Sequence, residues 1–112
     1  TRASGVDAEL ELSALPLLDG AVDTVAAGIL SSLQPANVRL RRALRDPEAF
    51  VDHLRYPLLF DPQTAGGLLA SVPAEAADSC LAELRGLGYP QAVRIGRILA
   101  QGEALEPIRL IG

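Results

Sequence analysis

Ala8-Glu9-Leu10-Glu11-Leu12 is the stretch that decides the fold, because apolar and acidic residues alternate through it. Such alternation is typical of a half-buried β-strand, whose successive side chains point to opposite faces. Glu9 and Glu11 therefore share one face, which we expect to be the face toward water. Two carboxylates at this spacing could also bind a metal ion, although solvated charges on a strand are the commoner arrangement. We predict a sheet built outward from this strand.

Three helical segments are expected next along the chain. Residues 21–30 and 36–44 carry apolar residues at helical spacing, and a further helix begins at Asp46, its N-cap, with Pro47 in the first turn. The apolar residues expected to face inward from the last two helices are Val38, Leu40, Leu44, Phe50, Val51 and Leu54. These helices are predicted to pack on the sheet.

The second half of the chain predicts more strands and one further helix. Residues 68–72 form a short apolar run that indicates a buried strand, residues 92–98 alternate, and residues 107–111 form a last strand. Pro73-Ala74-Glu75 opens the clearest helix, which ends near Gly86 and Gly88. The predicted fold class is α/β, a mixed sheet of three to four strands with packed helices, in one domain covering residues 1–112.

Composition excludes several classes of function. The chain has 112 residues and a net charge of −4, and its few aromatic residues argue against nucleic-acid binding. All ten basic residues are Arg, and the group formed by Arg39, Arg41, Arg42 and Arg45 is expected to be a solvated surface. The apolar runs are too short to span a membrane, so a soluble, cytoplasmic protein is expected.

Reactive side chains are scarce. Cys80 is the only cysteine and His53 the only histidine, so neither an internal disulfide nor a structural zinc site is expected. Cys80 shares an apolar stripe with Ala77, Leu81 and Leu84, and we interpret it as a buried structural thiol. We therefore predict no catalytic residue and no metal ligand in this chain. The absence of any Met suggests a piece of a longer polypeptide.

One stretch is too specific to arise from composition, Asp61-Pro62-Gln63-Thr64-Ala65-Gly66-Gly67. Asp before Pro favours an extended or turn conformation, and paired glycines permit positive φ or close backbone approach. Two interpretations stay open on these grounds: a tight turn between two strands, or backbone N–H groups that face an anion. Gly67→Val is expected to destabilise the fold or displace the loop, because a β-branched residue tolerates positive φ poorly.

Residues 58–69 closely resemble the Asp-Pro-Gln-Thr-Ser-Gly-Gly-Leu-Leu motif of selenophosphate synthetases. The resemblance covers nearly the whole chain, and its other matching positions are Ala3–Val6, Ala8–Leu10, Leu15-Pro16, Asn37, Val72-Pro73, Gly88-Tyr89 and Ile95-Gly96. One departure is Ala65, which stands where the family commonly has Ser. Losing that hydroxyl would remove one hydrogen bond, worth about 1 kcal/mol, if the Ser contacts phosphate or a partner domain.

The resemblance implies a function for a longer protein. Family members convert ATP, selenide and water to selenophosphate, AMP and phosphate, and they place an ATP-binding domain before an α/β domain like that of aminoimidazole ribonucleotide synthetases. The catalytic Cys or selenocysteine, a Lys and most Mg²⁺-binding Asp residues belong to that preceding domain. We therefore expect a C-terminal part that has no cofactor of its own, whose parent uses ATP and Mg²⁺, and whose partner is the missing N-terminal ATP-binding domain.

The resemblance also gives candidate site residues and alternatives. The loop expected on the phosphate side of the site comprises Asp61, Gln63, Thr64, Gly66 and Gly67. A homodimer is possible, although the family's dimer contacts are thought to lie largely in the missing domain. Two other hypotheses are a non-catalytic assembly module and a domain of a related ATP-dependent enzyme, such as a thiamine-monophosphate kinase or a hydrogenase-maturation protein. Gln63-Thr64 argues against the related enzyme.

Overall fold

The computed structural model describes residues 1–62 and 67–112. Its centre is a four-stranded mixed sheet with the strand order β2-β4-β1-β3. The strands are β1 (Val6–Glu11), β2 (Leu44–Arg45), β3 (Gly96–Ala100) and β4 (Ile108–Ile111). β1 pairs antiparallel with β3 and parallel with β4, and β4 pairs parallel with β2. The predicted α/β class and mixed sheet are confirmed.

Short helices connect these strands. The α-helices are α1 (Ala21–Ala26), α2 (Gln34–Asn37) and α3 (Ala77–Gly86). Short 3₁₀ segments, called turns below, cover Arg2–Ser4, Leu12–Ala14, Val38–Ala43, Pro47–Phe50, Tyr56–Phe60 and Ala74–Ala76. Within residues 1–62 and 67–112, none of the helices is both long enough and apolar enough to cross a membrane.

One face of the sheet carries the apolar core. Its buried cluster consists of Leu12, Leu44, Tyr56, Phe60 and Leu110, and Leu12 has no exposed surface. Leu10 lies opposite Leu110 in the register of β1 and β4, which places both side chains on this face. The alternation in β1 therefore positions the core as predicted, and the turn at Tyr56–Phe60 covers it.

The opposite face is charged, and here the expectation for Glu9 is wrong. Glu9 was expected to face water but is only 5% exposed. Its Oε1 accepts a hydrogen bond of 2.7 Å from Arg97 Nε, and its Oε2 lies 3.5 Å from Arg109 Nη1. Both arginines stand directly opposite Glu9 on the neighbouring strands, so their side chains cover the carboxylate. Glu11, at the end of β1, is exposed as predicted.

Asp7 is the second buried carboxylate of this face. Its Oδ2 accepts a hydrogen bond of 2.9 Å from the backbone N–H of Gly102 and pairs with the Arg45 guanidinium. Arg45 also donates from Nε to the carbonyl of Glu106 at 2.7 Å. The Gly102 N–H, and secondarily Arg45, hold the pKa of Asp7 below its usual value, although burial opposes this shift. Arg45 is therefore not part of a solvated cluster, whereas Arg39, Arg41 and Arg42 are exposed as expected.

Two of the predicted helices are shorter than expected. The first ends at Ala26, and Gly28 follows with a φ of 76°. The second continues from α2 as the 3₁₀ turn Val38–Ala43, which leaves Leu40 exposed rather than inward. Leu44 is buried as predicted, but in β2, because pairing with β4 requires extended backbone there.

The helix predicted from Asp46 is reduced to one turn, Pro47–Phe50. Asp46 has a φ of 45° and its side chain makes no capping hydrogen bond, so the helix lacks the expected N-cap. Phe50 packs against the core, whereas Val51 and Leu54 are exposed. The inward orientation predicted for these two residues is wrong because the helical period ends before it reaches them.

The strand predicted for residues 68–72 is absent from the described residues that follow the motif. Leu68 is 99% exposed, and both neighbour positions of β1 are already taken by β3 and β4. Within the described part of the chain, the outer edges of β2 and β3 carry no further strand either, so residues 68–72 have no ladder partner and form no strand. The strand predicted at residues 92–98 lies slightly later, as β3, and that predicted at 107–111 is confirmed as β4.

Gly96→Ala should lower the free energy of unfolding by about 1–3 kcal/mol. A Cβ at this position would stand 1.9 Å from the carbonyl oxygen of Glu9, so β3 would have to move away from β1. Gly86→Ala, on α3, is the matched control, since among the described residues a Cβ there meets no heavy atom within 4 Å. Urea unfolding followed by circular dichroism measures both variants. Equal midpoints for the two would contradict the prediction.

Asp7→Asn should make the fold less stable at neutral pH and flatten its acid sensitivity. Because the pKa of Asp7 is lower in the folded chain than the ~3.9 of an unfolded Asp, its stabilising contribution is present above about pH 4. That contribution is lost as the pH falls through the folded pKa. Thermal melts across the acidic range test this, with the exposed Asp19→Asn as control. The prediction fails if Asp7→Asn retains the acid sensitivity of the unmodified chain.

Candidate functional site

The start of the predicted loop is well defined. Asp61 is exposed and directly follows the 3₁₀ turn Tyr56–Phe60, with a φ of −65° and a ψ of 122°. This extended backbone agrees with the restriction that Pro62 places on the residue before it. Three other predicted site residues, Gln63, Thr64 and Gly66, lie outside the described residues.

Gly67 is the last of the predicted site residues. Among the described residues, no heavy atom lies within 4 Å of where an added Cβ would stand. The expectation that Gly67→Val disturbs the turn stays a prediction, because the backbone that precedes Gly67 lies outside the described residues. Gly67 is exposed, so its role in the candidate site rests on the sequence motif.

Two buried aromatic side chains anchor the turn that precedes Asp61. Tyr56 and Phe60 are both in the core, with ring centroids 5.3 Å apart and planes at 74°, an edge-to-face arrangement. Arg55, just before them, donates from Nη1 to the carbonyls of Ser13 at 2.8 Å and Leu15 at 2.5 Å. The backbone that leads into the motif is thus tied to the segment that follows β1.

Helix α2 holds the same turn through two side-chain amides. Gln34 Nε2 donates to the carbonyl of Pro57 at 2.9 Å, and Asn37 Nδ2 donates to the carbonyl of Phe60 at 3.2 Å. The sequence motif had singled out Asn37 but gave it no role, and it gave no sign of Gln34. Gln34 is buried, which is unusual for Gln and is the structural signal of its involvement.

An open hollow lies away from the motif, between the sheet and the turn Pro47–Phe50. Its lining residues are Arg45, Asp46, Ala49, Phe50, Arg109 and Leu110. Both arginines already pair with the buried carboxylates Asp7 and Glu9. These arginines therefore have a structural role in the sheet, and we assign no ligand to the hollow. Asp61 is not among its lining residues.

The remaining candidate side chains serve local structure. Cys80 is half-buried on α3 rather than fully buried as predicted, because α3 packs only loosely on the rest of the described chain. His53 Nδ1 accepts a hydrogen bond of 3.1 Å from the backbone N–H of Arg55. Across residues 1–62 and 67–112, no three His, Cys, Asp or Glu side chains come together as a metal site. Glu9, which could have bound metal with Glu11, is ion-paired instead.

Comparison with known proteins gives a consistent set of relatives. No family model matches the chain. A selenide, water dikinase from Geobacter metallireducens is 38% identical over 105 residues, which is 91% of this chain and 29% of the relative. One from Nitratidesulfovibrio vulgaris strain DP4 is 32% identical over 96% of this chain and 30% of the relative. One from Clostridioides difficile is 29% identical over 91% of this chain and 29% of the relative.

These matches extend along almost the whole of the chain, and they agree with the motif at residues 58–69. The chain spans about 30% of the length of the curated relatives that it matches. Over 91–96% of its length, this chain is similar to a part of selenide, water dikinases.

Proposed function

We propose that this chain is the C-terminal part of a selenophosphate synthetase and is inactive on its own. The observation that carries the proposal is the similarity itself, which covers 91–96% of the chain but only 29–30% of each relative. The whole protein would convert ATP, selenide and water to selenophosphate, AMP and phosphate in the cytoplasm. In this scheme the chain supplies the Asp61–Gly67 loop to a site whose catalytic groups lie in the ATP-binding domain.

The side chains of this chain fit an auxiliary role in phosphoryl transfer rather than a catalytic one. Phosphoryl transfer relies on metal ions and cationic clamps that neutralise developing charge. The sequence has no Lys, and the buried carboxylates Asp7 and Glu9 are each engaged by arginine. Asp61 is an exposed carboxylate at the entrance to the motif. We therefore assign ATP and Mg²⁺ binding mainly to the ATP-binding domain, with Asp61 and Thr64 contributing from this chain.

Exposed apolar side chains favour the proposal that another domain contacts this chain near the motif. Ile29, Leu30 and Leu33 are 66%, 48% and 64% exposed, and Leu33 directly precedes the buried Gln34 that holds the turn. Leu68 and Leu69, at the end of the motif, are exposed as well. Apolar surface of this kind usually marks an interaction site. We assign these residues to contact with the ATP-binding domain, and we assign the contacts of any homodimer to that domain.

A chimera tests the proposal directly. In the Geobacter metallireducens relative, the segment that matches this chain would be replaced by residues 1–112. We expect the chimera to form AMP from ATP in a reaction that depends on both selenide and Mg²⁺. The isolated chain should form none, because phosphoryl transfer lacks its metal ions and clamps there.

Two controls define the result. The relative without its matching segment should be inactive, and the intact relative sets the full rate. AMP formation by the isolated chain would contradict the proposed division of roles. A chimera that is folded and binds ATP, yet forms no AMP with selenide, would contradict the assignment to this enzyme family's reaction.

A further inference from the structure

The peptide unit between Phe60 and Asp61 is held at both of its polar groups. Its carbonyl oxygen accepts the hydrogen bond from Asn37 Nδ2 at 3.2 Å, and its N–H donates to the carbonyl of Leu58 at 3.3 Å. Because a peptide unit is planar, holding both groups fixes the orientation of the whole plane. The direction in which the chain enters the Asp61–Gly67 loop is set at this plane.

Asn37 supplies a bond that the turn itself cannot. Phe60 is the last residue of its 3₁₀ turn, and the final carbonyls of a helix have no partner within it. Among the described residues, Asn37 is the side chain that donates to this carbonyl. Without it, the plane would be held only through the longer bond to Leu58.

Gln34 acts three residues earlier on the same face of α2. Residues three apart on a helix are neighbours, so the two amides approach the turn side by side. Gln34 is 5% exposed, and a buried amide without a hydrogen bond is costly, so its bond to the Pro57 carbonyl is strongly favoured. Together the two amides hydrogen-bond the turn near its start, at Pro57, and at its end, at Phe60.

We propose that Gln34 and Asn37 are positioning residues that set the orientation of Asp61, at the start of the motif. They act through the backbone carbonyls of Pro57 and Phe60. The catalytic part of this inference rests on the proposed function, whereas the orientation of Asp61 does not. The two hydrogen bonds belong to the chain itself, so their effect on Asp61 can be measured without an assay of activity.

Hydrogen exchange on the 112-residue chain tests whether Asn37 holds the peptide unit before Asp61. Asn37→Asp keeps the shape of the side chain but removes its donor, and we expect about fivefold faster exchange at the Asp61 amide. Asn37→Gln, which restores an amide, should return exchange toward the original rate. Ser79→Ala is the matched control, since it removes a 3.0 Å side-chain bond to the carbonyl of Ala76, far from the motif. Unchanged exchange at Asp61 in Asn37→Asp would overturn the proposal.

Kinetics in the chimera test the catalytic part. A misplaced group can reduce turnover by about 10²-fold, so we expect Asn37→Asp and Gln34→Glu to lower kcat at least tenfold, with a smaller change in the KM for ATP. Rescue of kcat by Asn37→Gln separates positioning from general loss of stability, and Ser79→Ala should not alter kcat. Normal kcat in both donor-removing variants would overturn a positioning role. If the unmodified chimera is folded and binds ATP but forms no AMP, the proposed function fails, and the exchange measurement still decides whether Asn37 fixes the peptide plane at Asp61.

Discussion

Two buried carboxylates on β1 connect all four strands of the sheet. Glu9 binds Arg97 on β3 and Arg109 on β4, and Asp7 binds Arg45 on β2. The carboxylates are buried although Arg97 and Arg109 are largely exposed, so removing an arginine would leave a buried charge without its partner, which is more destabilising than the loss of a fully exposed pair. Shifting any neighbouring strand by one residue would move its arginine to the apolar face. The charges on β1 therefore specify the register of the sheet as well as contributing to its stability.

This constraint explains which parts of the fold the sequence could predict. β1 and β4 are recognisable because their apolar residues mark them locally, at positions such as Leu10 and Leu110. The burial of Glu9 is not recognisable, because Arg97 lies 88 residues away in sequence and only the pairing of strands brings it close. The strand prediction for residues 68–72 is wrong for the converse reason: they have the composition of a strand, but in the folded chain they pair with none of the four strands of the described sheet.

The candidate site likewise has a part that the sequence could predict and a part that it could not. The identity of the loop was predictable from residues 61–67, because a resemblance to a family motif depends on local sequence alone. The two amides that hold it were not predictable as a pair, because each carbonyl partner is 23 residues further along the chain. Gln is usually a surface residue, so the sequence gives no sign that Gln34 is buried. Only its burial in the folded chain shows that its side-chain amide needs a hydrogen-bond partner.

The turn that ends at Phe60 is connected to the sheet through a continuous series of packed groups. Tyr56 and Phe60 lie in the same core cluster as Leu12, which follows β1 directly. Arg55 ties the start of the turn to the carbonyls after β1, and Asn37 fixes its end at the Phe60 carbonyl. Dense packing transmits displacement from one group to the next. A substitution in the core beneath the turn should therefore change the placement of Asp61 even where the overall fold survives, which links the stability of this sheet to the geometry of the loop that it carries.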